Sequence, residues 1–292
     1  MLFAHCCRMQ KIFLISAAFI ASLMPAGAHQ RPAGQLHDSL ATITGRILDN
    51  RGKGIEYVAI GIPGTGTGTI SDSTGQFKLE LPKGSSDSIM FFHVSYSEKC
   101  LPAAELAAAG NPVEVRLEDN VLPEAIVVPG KTRHRRLVNR GMRVPAASAS
   151  MESTSKGTEV GSLLEVSRKF MLKKIAFEVT ENAMPGCLLA VNIYRVSGDK
   201  LENILSKPIY HEIPLSRKRQ KCETVVDEGI MLNPGTYFIA LVLVDHDCRE
   251  GEKCAVYFPL YLKSAWIRNR VLDGFERSPV NVGLSADGME YL

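Results

Sequence analysis

Polar side chains that could do chemistry are most concentrated between residues 245 and 252. Asp245, His246 and Asp247 are followed closely by Glu250 and Glu252. Carboxylates and an imidazole at this density could bind calcium or orient a sugar hydroxyl at the tip of a β-sandwich. However, the stretch lacks the glycine and the ligand spacing of a calcium-binding loop. The sequence therefore favours a solvated hairpin loop and leaves a ligand-contact loop open as the alternative.

Two cysteines, Cys248 and Cys254, lie within and just after this segment and could form a disulfide. So short a loop would contribute roughly 2 kcal/mol to stability in the chain-entropy description. Free thiols are the alternative, because a buried cysteine also behaves as a small hydrophobic residue. The predicted mature chain keeps five cysteines (7 − 2), so at least one is unpaired. Neither a C-x-x-C pair nor a histidine pair at ligand spacing occurs, so we expect no zinc site.

Catalytic motifs are absent from the sequence. The histidines are scattered and form neither H-x-x-E nor H-E-x-x-H, so a zinc hydrolase site is not expected. No G-x-S-x-G element is present for a serine nucleophile. The stretch containing Gly64, Gly66 and Gly68 leads into another predicted strand, whereas a phosphate-binding loop leads into a helix. We therefore predict a flexible connection there, and a protein that is not an enzyme and has no catalytic residue, metal or cofactor.

Short alternating apolar segments separated by turn residues predict a mostly β chain with two sandwich domains, residues 41–128 and 158–292. Pro102–Gly110 is expected to be a short helical or irregular crossing in the first domain. The strands predicted for that domain are Thr42–Leu48, Tyr57–Ile62, Gly68–Ser71, Gln76–Leu81, Ser88–Val94, Pro112–Leu117 and Val121–Val128.

The second domain is predicted to be a jelly-roll-like β-sandwich of about eight strands. Its run Tyr237–Val244 is apolar on both faces, which is typical of a central strand. The predicted strands are Glu159–Glu165, Met171–Thr180, Leu188–Val196, Pro208–Ile213, Glu223–Asp227, Thr236–Asp245, Ala255–Leu262 and Val280–Leu284.

Residues 129–157 have the composition of a linker between these domains. Cations without any acid are followed by a stretch rich in Ala and Ser, which predicts an extended and mobile segment. Contact with anionic lipid head groups is the alternative use of this charge. The cations are Lys131, Arg133, Arg135, Arg136, Arg140 and Arg143.

Residues 1–28 have the pattern of an export signal. Arg8 and Lys11 precede the apolar run Ile12–Met24, and Pro25–Ala28 offers small residues for cleavage. We expect an exported chain that starts near His29 and has no membrane-spanning segment after the signal is removed. A formal net charge of +3 gives no reason to expect a nucleic acid partner.

Residues 41–118 resemble the carboxypeptidase-regulatory-like domain family. The family's opening pattern and its G-T-x-T-D-x-x-G-x-F segment are both recognisable, although Gly54 stands where proline is usual. The resemblance implies a transthyretin-like (prealbumin-like) seven-strand sandwich with an accessory role and no catalytic residue. The matching turn and core residues are Gly45, Asp49, Ala59, Asp72, Gly75 and Phe77.

The same family fronts TonB-dependent outer-membrane receptors, and Leu122–Gly130 resembles the junction that leads into their plug. The remaining chain is too short for a receptor-sized barrel. We therefore expect a non-catalytic exported binding or assembly module of the bacterial cell envelope, in the periplasm or at the outer membrane or cell surface. Its partner would be an envelope protein or a glycan or peptide ligand. The alternatives are an accessory protein of a TonB-dependent nutrient-uptake system and a glycan- or peptide-processing enzyme with its site in the second sandwich.

Overall fold

A computed structural model describes residues 40–120, 130–138 and 141–292. The predicted signal segment 1–28 and the predicted strand Val121–Val128 lie outside the described residues. The described chain is mostly β and folds into several sheets, which confirms the predicted fold class.

The first seven strands and the one helix of the described ranges lie between residues 40 and 116. Strands β4, β1 and β7 form one sheet, and β3, β2, β5 and β6 form a second. Strand β6 was not predicted, because none of its four side chains is buried and no apolar alternation marks it. The bounds are β1 Leu40–Leu48, β2 Ala59–Ile62, β3 Thr67–Ile70, β4 Gln76–Pro82, β5 Ser88–Phe92, β6 Lys99–Pro102, α1 Ala103–Ala108 and β7 Val113–Arg116.

Alternating burial and tight turns build this first sandwich. Every second residue of β4 is buried, and Phe77 packs edge-on against Phe91 of the other sheet, with ring centroids 6.1 Å apart. In the turn before β4, the Asp72 carboxylate accepts two backbone N–H groups at 2.8 and 2.9 Å. Gly75 has a φ of +83° there, and a Cβ would lie 2.5 Å from the carbonyl oxygen of Ile47. These side chains therefore hold the turn and the core.

The other residues that match the family pattern also lie at turns and strand contacts. A Cβ on Gly45 would lie 2.4 Å from the carbonyl oxygen of Val113, so only glycine permits this pairing of β1 with β7. Asp49 accepts two backbone N–H groups in the turn that follows β1, at 2.9 and 2.8 Å. Ala59 begins β2 and pairs with Ile70 of β3.

The glycine-rich stretch is where the two sandwiches touch, and it is more than the predicted flexible connection. The N–H of Gly64 donates to the carbonyl oxygen of Leu272 at 2.9 Å. A Cβ on Gly66 would lie 2.7 Å from Arg270 Cδ, and one on Gly68 would lie 3.0 Å from Val271 Cβ. The absence of side chains thus lets the loop formed by residues 270–273 approach the first sandwich.

The second sandwich is built from thirteen strands of the described chain. Its larger sheet has the order β12-β18-β10-β17-β13-β14, with β15 on β13 and with β9 and β19 on β18. The smaller sheet has the order β16-β11-β20-β8. The bounds are β8 Thr132–Val138, β9 Met142–Glu152, β10 Glu159–Val166, β11 Phe170–Val179, β12 Glu181–Asn182, β13 Cys187–Ser197, β14 Lys200–Asn203, β15 Tyr210–Ile213, β16 Gln220–Leu232, β17 Gly235–Asp245, β18 Ala255–Arg268, β19 Glu276–Asn281 and β20 Ser285–Tyr291.

The core of the second sandwich lies between its two sheets. Strand β17 lies between β10 and β13 and has eight consecutive buried residues, as its apolar run predicted for a central strand. Side chains of the opposite sheet, among them Phe170, Leu172 and Phe177, complete this core. A jelly-roll-like strand order stays a prediction. None of the helices in the described part of the chain is long and apolar enough to cross a membrane.

The linker predicted over residues 129–157 is wrong for most of its described residues. Thr132–Val138 is a strand that pairs with β20, and Met142–Glu152 is a strand that pairs with β18. The cations of β8 have acidic partners across the sheet: Arg133 and Arg135 both donate to the carboxylate of Glu290. These residues therefore form two strands of the second sandwich, although their composition is that of a solvated segment.

The predicted strand Val280–Leu284 is wrong after Asn281, because β19 ends there and the remaining residues form the turn before β20. Gly283 has a φ of +72° in this turn. The hydroxyl oxygen of the buried Ser162 accepts the N–H groups of Gly283 and Leu284 at 3.1 and 3.0 Å. An apolar run can therefore pack against the core without continuing a strand.

Candidate functional site

The predicted ligand-contact loop uses its polar groups on the protein itself. Asp245 accepts a hydrogen bond from Lys156 Nζ at 2.6 Å. The ring of His246 donates from Nε2 to the carbonyl oxygen of Ser153 at 2.8 Å and accepts the Cys248 N–H at Nδ1, at 3.2 Å. The loop is therefore internally fastened, which favours the hairpin interpretation.

The remaining acidic residues of this loop either contact the protein itself or are exposed to solvent. Asp247 closes against Gly186, where an added Cβ would lie 2.2 Å from a carboxylate oxygen. Glu252 accepts the N–H of Arg249 at 3.3 Å, and Glu250 is exposed. In the described ranges no three histidine, cysteine or acidic residues come together as a metal site.

Cys248 and Cys254 are both free thiols in the structure, and the possible disulfide between them stays a prediction. The Cys248 thiol contacts that of Cys254: burial, a hydrogen bond to Cys254 and nearby charges raise its pKa to about 12. Burial likewise raises the pKa of Cys187 to about 12. Thiols with such pKa values are protonated at neutral pH and are weak nucleophiles.

A cavity with a volume of about 330 Å³ lies in the second sandwich. Its walls come from β9, the turn that follows it, β10, β18 and β19. The aliphatic lining residues are Ala149, Val160, Leu260, Ile267, Val280 and Val282. The polar lining side chains are Ser148, Ser150, Glu152, Ser155, Thr158, Asn269, Ser278 and Asn281.

The cavity lies beside a short pairing of β10 with β18. The two strands pair only through Glu159 with Arg268 and Val160 with Ile267. Strand β18 also shifts register twice, between residues 259 and 261 against β9 and between residues 262 and 265 against β19. Such irregularities bend a strand and commonly lie beside binding sites. Both register shifts therefore lie in a strand that forms part of the cavity wall.

Trp266, the only tryptophan of the chain, is part of the cavity wall. It is 5% exposed, and the guanidinium of Arg277 lies 3.8 Å from its ring centroid. Its Nε1–H is buried and has no hydrogen-bond partner within the described chain. A buried, covered indole is not an open platform for stacking a sugar ring, but it supplies an apolar wall and an unmatched donor.

Most polar groups around the cavity already hold the strands together. The hydroxyl of Thr158 donates to the carbonyl oxygen of Asn269 at 2.9 Å, and Asn281 Nδ2 donates to the carbonyl oxygen of Lys263 at 3.0 Å. Among the described lining residues, Glu152 carries the single charged side chain. The cavity therefore suits a largely apolar ligand with few, uncharged polar groups.

A buried ion pair lies at a second place, where the two sandwiches meet. Glu159 is 3% exposed and accepts hydrogen bonds from Arg268 Nη1 and from the hydroxyl of Tyr194, each at 2.8 Å. Burial raises the pKa of Tyr194 well above its usual value, and the Glu159 charge raises it further. The Arg268 guanidinium lies 3.9 Å from the ring centroid of Phe275. The carboxylate is thus fully engaged.

His93 faces the same junction from the first sandwich. It is 8% exposed, and its Nδ1 accepts the N–H of Ser95 at 3.2 Å. Burial lowers its pKa to about 4, so the ring is neutral at neutral pH. Across the junction, Tyr57 packs edge-on against Tyr210 with ring centroids 5.3 Å apart.

Sequence reasoning missed Trp266, Glu159 and Arg268 as site residues. A single tryptophan near the end of a predicted strand was a usable signal, since the residue is bulky and rarely placed without a packing role. Glu159 and Arg268 are 109 positions apart and had no local signal. Their meeting depends on the pairing of β10 with β18.

Residues 43–128 match the family of CarboxypepD_reg-like domains. No curated protein matches the chain.

Among solved structures, that of infectious bursal disease virus strain Gt is similar over 90% of this chain, with 9% identity and a TM-score of 0.29. The chain spans only 57% of the length of that viral protein. A candidate carbohydrate-binding protein of Bacteroides uniformis is similar over 86% of this chain and 98% of its own, with 12% identity and a TM-score of 0.21. A carbohydrate-binding module of the β-sandwich superfamily is similar over 82% of this chain and 97% of its own, with 8% identity and a TM-score of 0.19.

Proposed function

We propose that the chain is a non-catalytic binding protein whose second sandwich carries the ligand site. The match of residues 43–128 to the CarboxypepD_reg-like domain family supports a non-catalytic role for the first sandwich. The observation that carries this proposal is the cavity of about 330 Å³ in the bend of β18. Its volume lies at the lower end of the range for small-molecule sites, which are mostly apolar with a few polar groups.

The ligand we propose has an apolar body and uncharged polar groups, such as a hydrophobic side chain of a peptide. The aliphatic wall and Trp266 would bury the apolar body. A glycan is the less suitable ligand, because the indole lies under Arg277 and is almost fully buried.

We also propose that the protein acts in the bacterial cell envelope. Support comes from the sequence of residues 1–28, in which a basic start, an apolar run and small residues follow one another as in an export signal. Fractionation of cells that express the full chain tests this proposal. Recovery of an uncleaved chain from the cytoplasm would contradict it.

The absence of catalysis is part of the proposal. The buried carboxylate of Glu159 is paired with Arg268, and Asp245 is paired with Lys156, so neither is free to act as a general base. Assays of the purified chain with glycosidase and peptidase substrates should show no turnover above the buffer rate. Turnover that disappears on joint substitution of Asp245, His246 and Asp247 would overturn this part of the proposal.

Intrinsic fluorescence tests the ligand site directly, because the chain has one tryptophan and it lines the cavity. We expect uncharged hydrophobic peptides to change the emission of Trp266 in a saturable manner, and neutral oligosaccharides to leave it unchanged. Ser150→Leu, which fills the cavity, should weaken peptide binding by about tenfold or more.

Ser197→Ala is the matched control, since Ser197 is exposed at the end of β13 and lies outside the cavity. Its binding should equal that of the unmodified chain. A saturable response to oligosaccharides but not to peptides would refute the proposed ligand class, although it would still support the cavity as the binding site. Equal binding by Ser150→Leu and the unmodified chain would refute the site.

A further inference from the structure

Exposed apolar side chains are concentrated where strand β9 begins. In the described part of the chain seven large apolar side chains are strongly exposed, and three of them, Val138, Met142 and Leu262, belong to this region. Met142 and Leu262 are 70% and 55% exposed and stand opposite each other in the pairing of β9 with β18. Val138 ends β8 only four positions before Met142, so the two Cα atoms are within about 14 Å of each other.

The pairing continues this apolar surface across a third strand. Leu262 also stands opposite Val280 of β19, which is half-buried. Directly opposite side chains lie on the same face of a sheet, so Met142, Leu262 and Val280 form one row across β9, β18 and β19. We call these three residues the apolar row. Single exposed apolar residues are ordinary, whereas a contiguous group commonly marks an interaction surface.

Cations accompany the apolar row. Arg143 follows Met142 in the chain, Lys263 follows Leu262, and both side chains are exposed. Neither forms an ion pair within the described residues. A Cβ on Gly141 would lie 2.7 Å from Lys263 Cβ, which places Lys263 beside the start of β9. The long stems of Arg and Lys let their charged ends lie apart from the apolar surface that they border.

Acidic residues are missing from the segments that form this surface. Residues 131–151, 255–272 and 277–286 contain no Asp or Glu. The first acid that follows them, Asp287, already pairs with Arg136 at 3.7 Å. A surface with free cations and no acid complements a partner of uniformly negative charge.

An anionic lipid bilayer offers both features that this surface needs. Its head groups are negative, and its acyl region can bury apolar side chains a short distance below them. A small soluble anion would neutralise Arg143 and Lys263 but leave the apolar row in water. The sequence alone showed only the cations, because Leu262 comes to Met142 from 120 positions away (262 − 142) through the pairing of β18 with β9.

We propose that the apolar row, together with Val138, docks the second sandwich on the surface of an anionic lipid bilayer. Arg143 and Lys263 contact the lipid phosphate groups, and the exposed ends of Met142 and Leu262 enter the boundary between head groups and acyl chains. This docking does not depend on the ligand proposed for the cavity of β18. Peptide binding there is read from Trp266 emission, so either proposal can fail without the other.

Sedimentation of the purified chain with lipid vesicles tests the docking surface. We expect binding to phosphatidylcholine vesicles that contain about one third phosphatidylglycerol, and at least about tenfold weaker binding to phosphatidylcholine alone. Raising the salt concentration from about 0.1 M to about 0.5 M should weaken the binding to anionic vesicles, because salt screens exposed charges.

Paired substitutions separate the apolar and the charged parts of the surface. Met142→Ser combined with Leu262→Ser should weaken vesicle binding by about tenfold or more. Val225→Ser is the matched control, because Val225 is 65% exposed but lies on β16 of the other sheet. Lys263→Gln should weaken binding by about fivefold. Lys83→Gln removes the same charge from an exposed position of the first sandwich and should leave binding unchanged.

The methyl resonance of Met142 in the unmodified chain tests the contact without any variant. It should broaden in anionic bicelles that carry a doxyl-labelled lipid, whereas that of Met90, half-buried in β5, should stay sharp. An unchanged Met142 resonance would overturn the proposal, as would equal binding to neutral and anionic vesicles. Self-association that Met142→Ser with Leu262→Ser abolishes, without vesicle binding, would also overturn it and assign the surface to a second copy of the chain.

Discussion

At the scale of single residues, His93 couples the fold to pH. Burial lowers its pKa to about 4, from an unfolded value near 6.5. The unfolded chain therefore binds a proton at this position between pH 6.5 and 4, whereas the folded chain does not. Stability from this group is fully present above pH 6.5 and is lost progressively as the pH falls towards 4.

We expect the unmodified chain to lose about 3 kcal/mol of unfolding free energy between pH 7 and 4 through His93 alone. His93→Phe should remove this share of the pH dependence, and His134→Phe should retain it. Urea unfolding at a series of pH values measures the difference. Parallel pH profiles for the unmodified chain and His93→Phe would contradict the assignment.

Residues whose role is local were predictable from the sequence. The turn at Asp72 and Gly75 is recognisable from the sequence, because the Asp72 carboxylate accepts hydrogen bonds from backbone N–H groups only two and four positions away. Trp266 and Arg268 could not be assigned in this way. Their surroundings come from β10, β18, β19 and the first sandwich, which no local pattern brings together.

At the scale of secondary-structure elements, β8 is held by charge as much as by packing. Glu290 on β20 is 2% exposed and accepts hydrogen bonds from Arg133 and Arg135. Burial opposes its ionisation, but the hydrogen bonds and charges of the two guanidinium groups outweigh burial, so the pKa of Glu290 is lowered. The ion pairs thus anchor an edge strand that has few buried side chains.

We expect Glu290→Gln to lower the midpoint of thermal unfolding by several degrees, because two cations of β8 lose their shared counter-charge. Glu80→Gln is the matched control: its partner Lys78 lies 2.7 Å away, but the side chains of Lys78 and Glu80 are 64% and 49% exposed. Exposed pairs contribute little, so this control should shift the midpoint by less than about one degree. Equal shifts in the two variants would show that the buried position has no special role.

The sequence predicted most long strands of the second sandwich but neither β8 nor β9. In both, side chains are mostly exposed or half-buried, so period-two alternation of apolar residues is missing. Arg133 and its acceptor Glu290 are 157 positions apart. The sequence around Arg133 shows only cations, which is the composition of a linker. Its ion pair with the distant Glu290 makes the segment a strand, so a long-range contact outweighs local composition.

At the scale of the whole molecule, the glycine-rich stretch sets how closely the sandwiches approach. Gly68 leaves no room for a side chain against Val271, and Gly64 donates across the junction to Leu272. Val271 and Leu272, in the segment that follows β18, also line a cavity between the two sandwiches. The junction is therefore a fitted contact made from backbone as well as side chains.

We expect Gly68→Ala to loosen this junction, because the new Cβ would lie 3.0 Å from Val271 Cβ and 2.9 Å from the carbonyl oxygen of Ile60. Hydrogen exchange of the Gly64 amide should then be faster. Gly84→Ala is the control, since Gly84 has open space around it and a positive φ of +73°. It should strain its own turn and leave the Gly64 amide protected. Faster exchange in the control alone would refute this role of Gly68.

The pairing of β8 with β20 has a consequence for the order of events during synthesis. Thr132 pairs with Tyr291, so the partner of an early strand is made about 160 residues later. All strands of the first sandwich precede β8, whereas the partner strand of β8 follows it by more than 140 residues (285 − 138 = 147). The second sandwich therefore cannot close along this edge until β20 has been made.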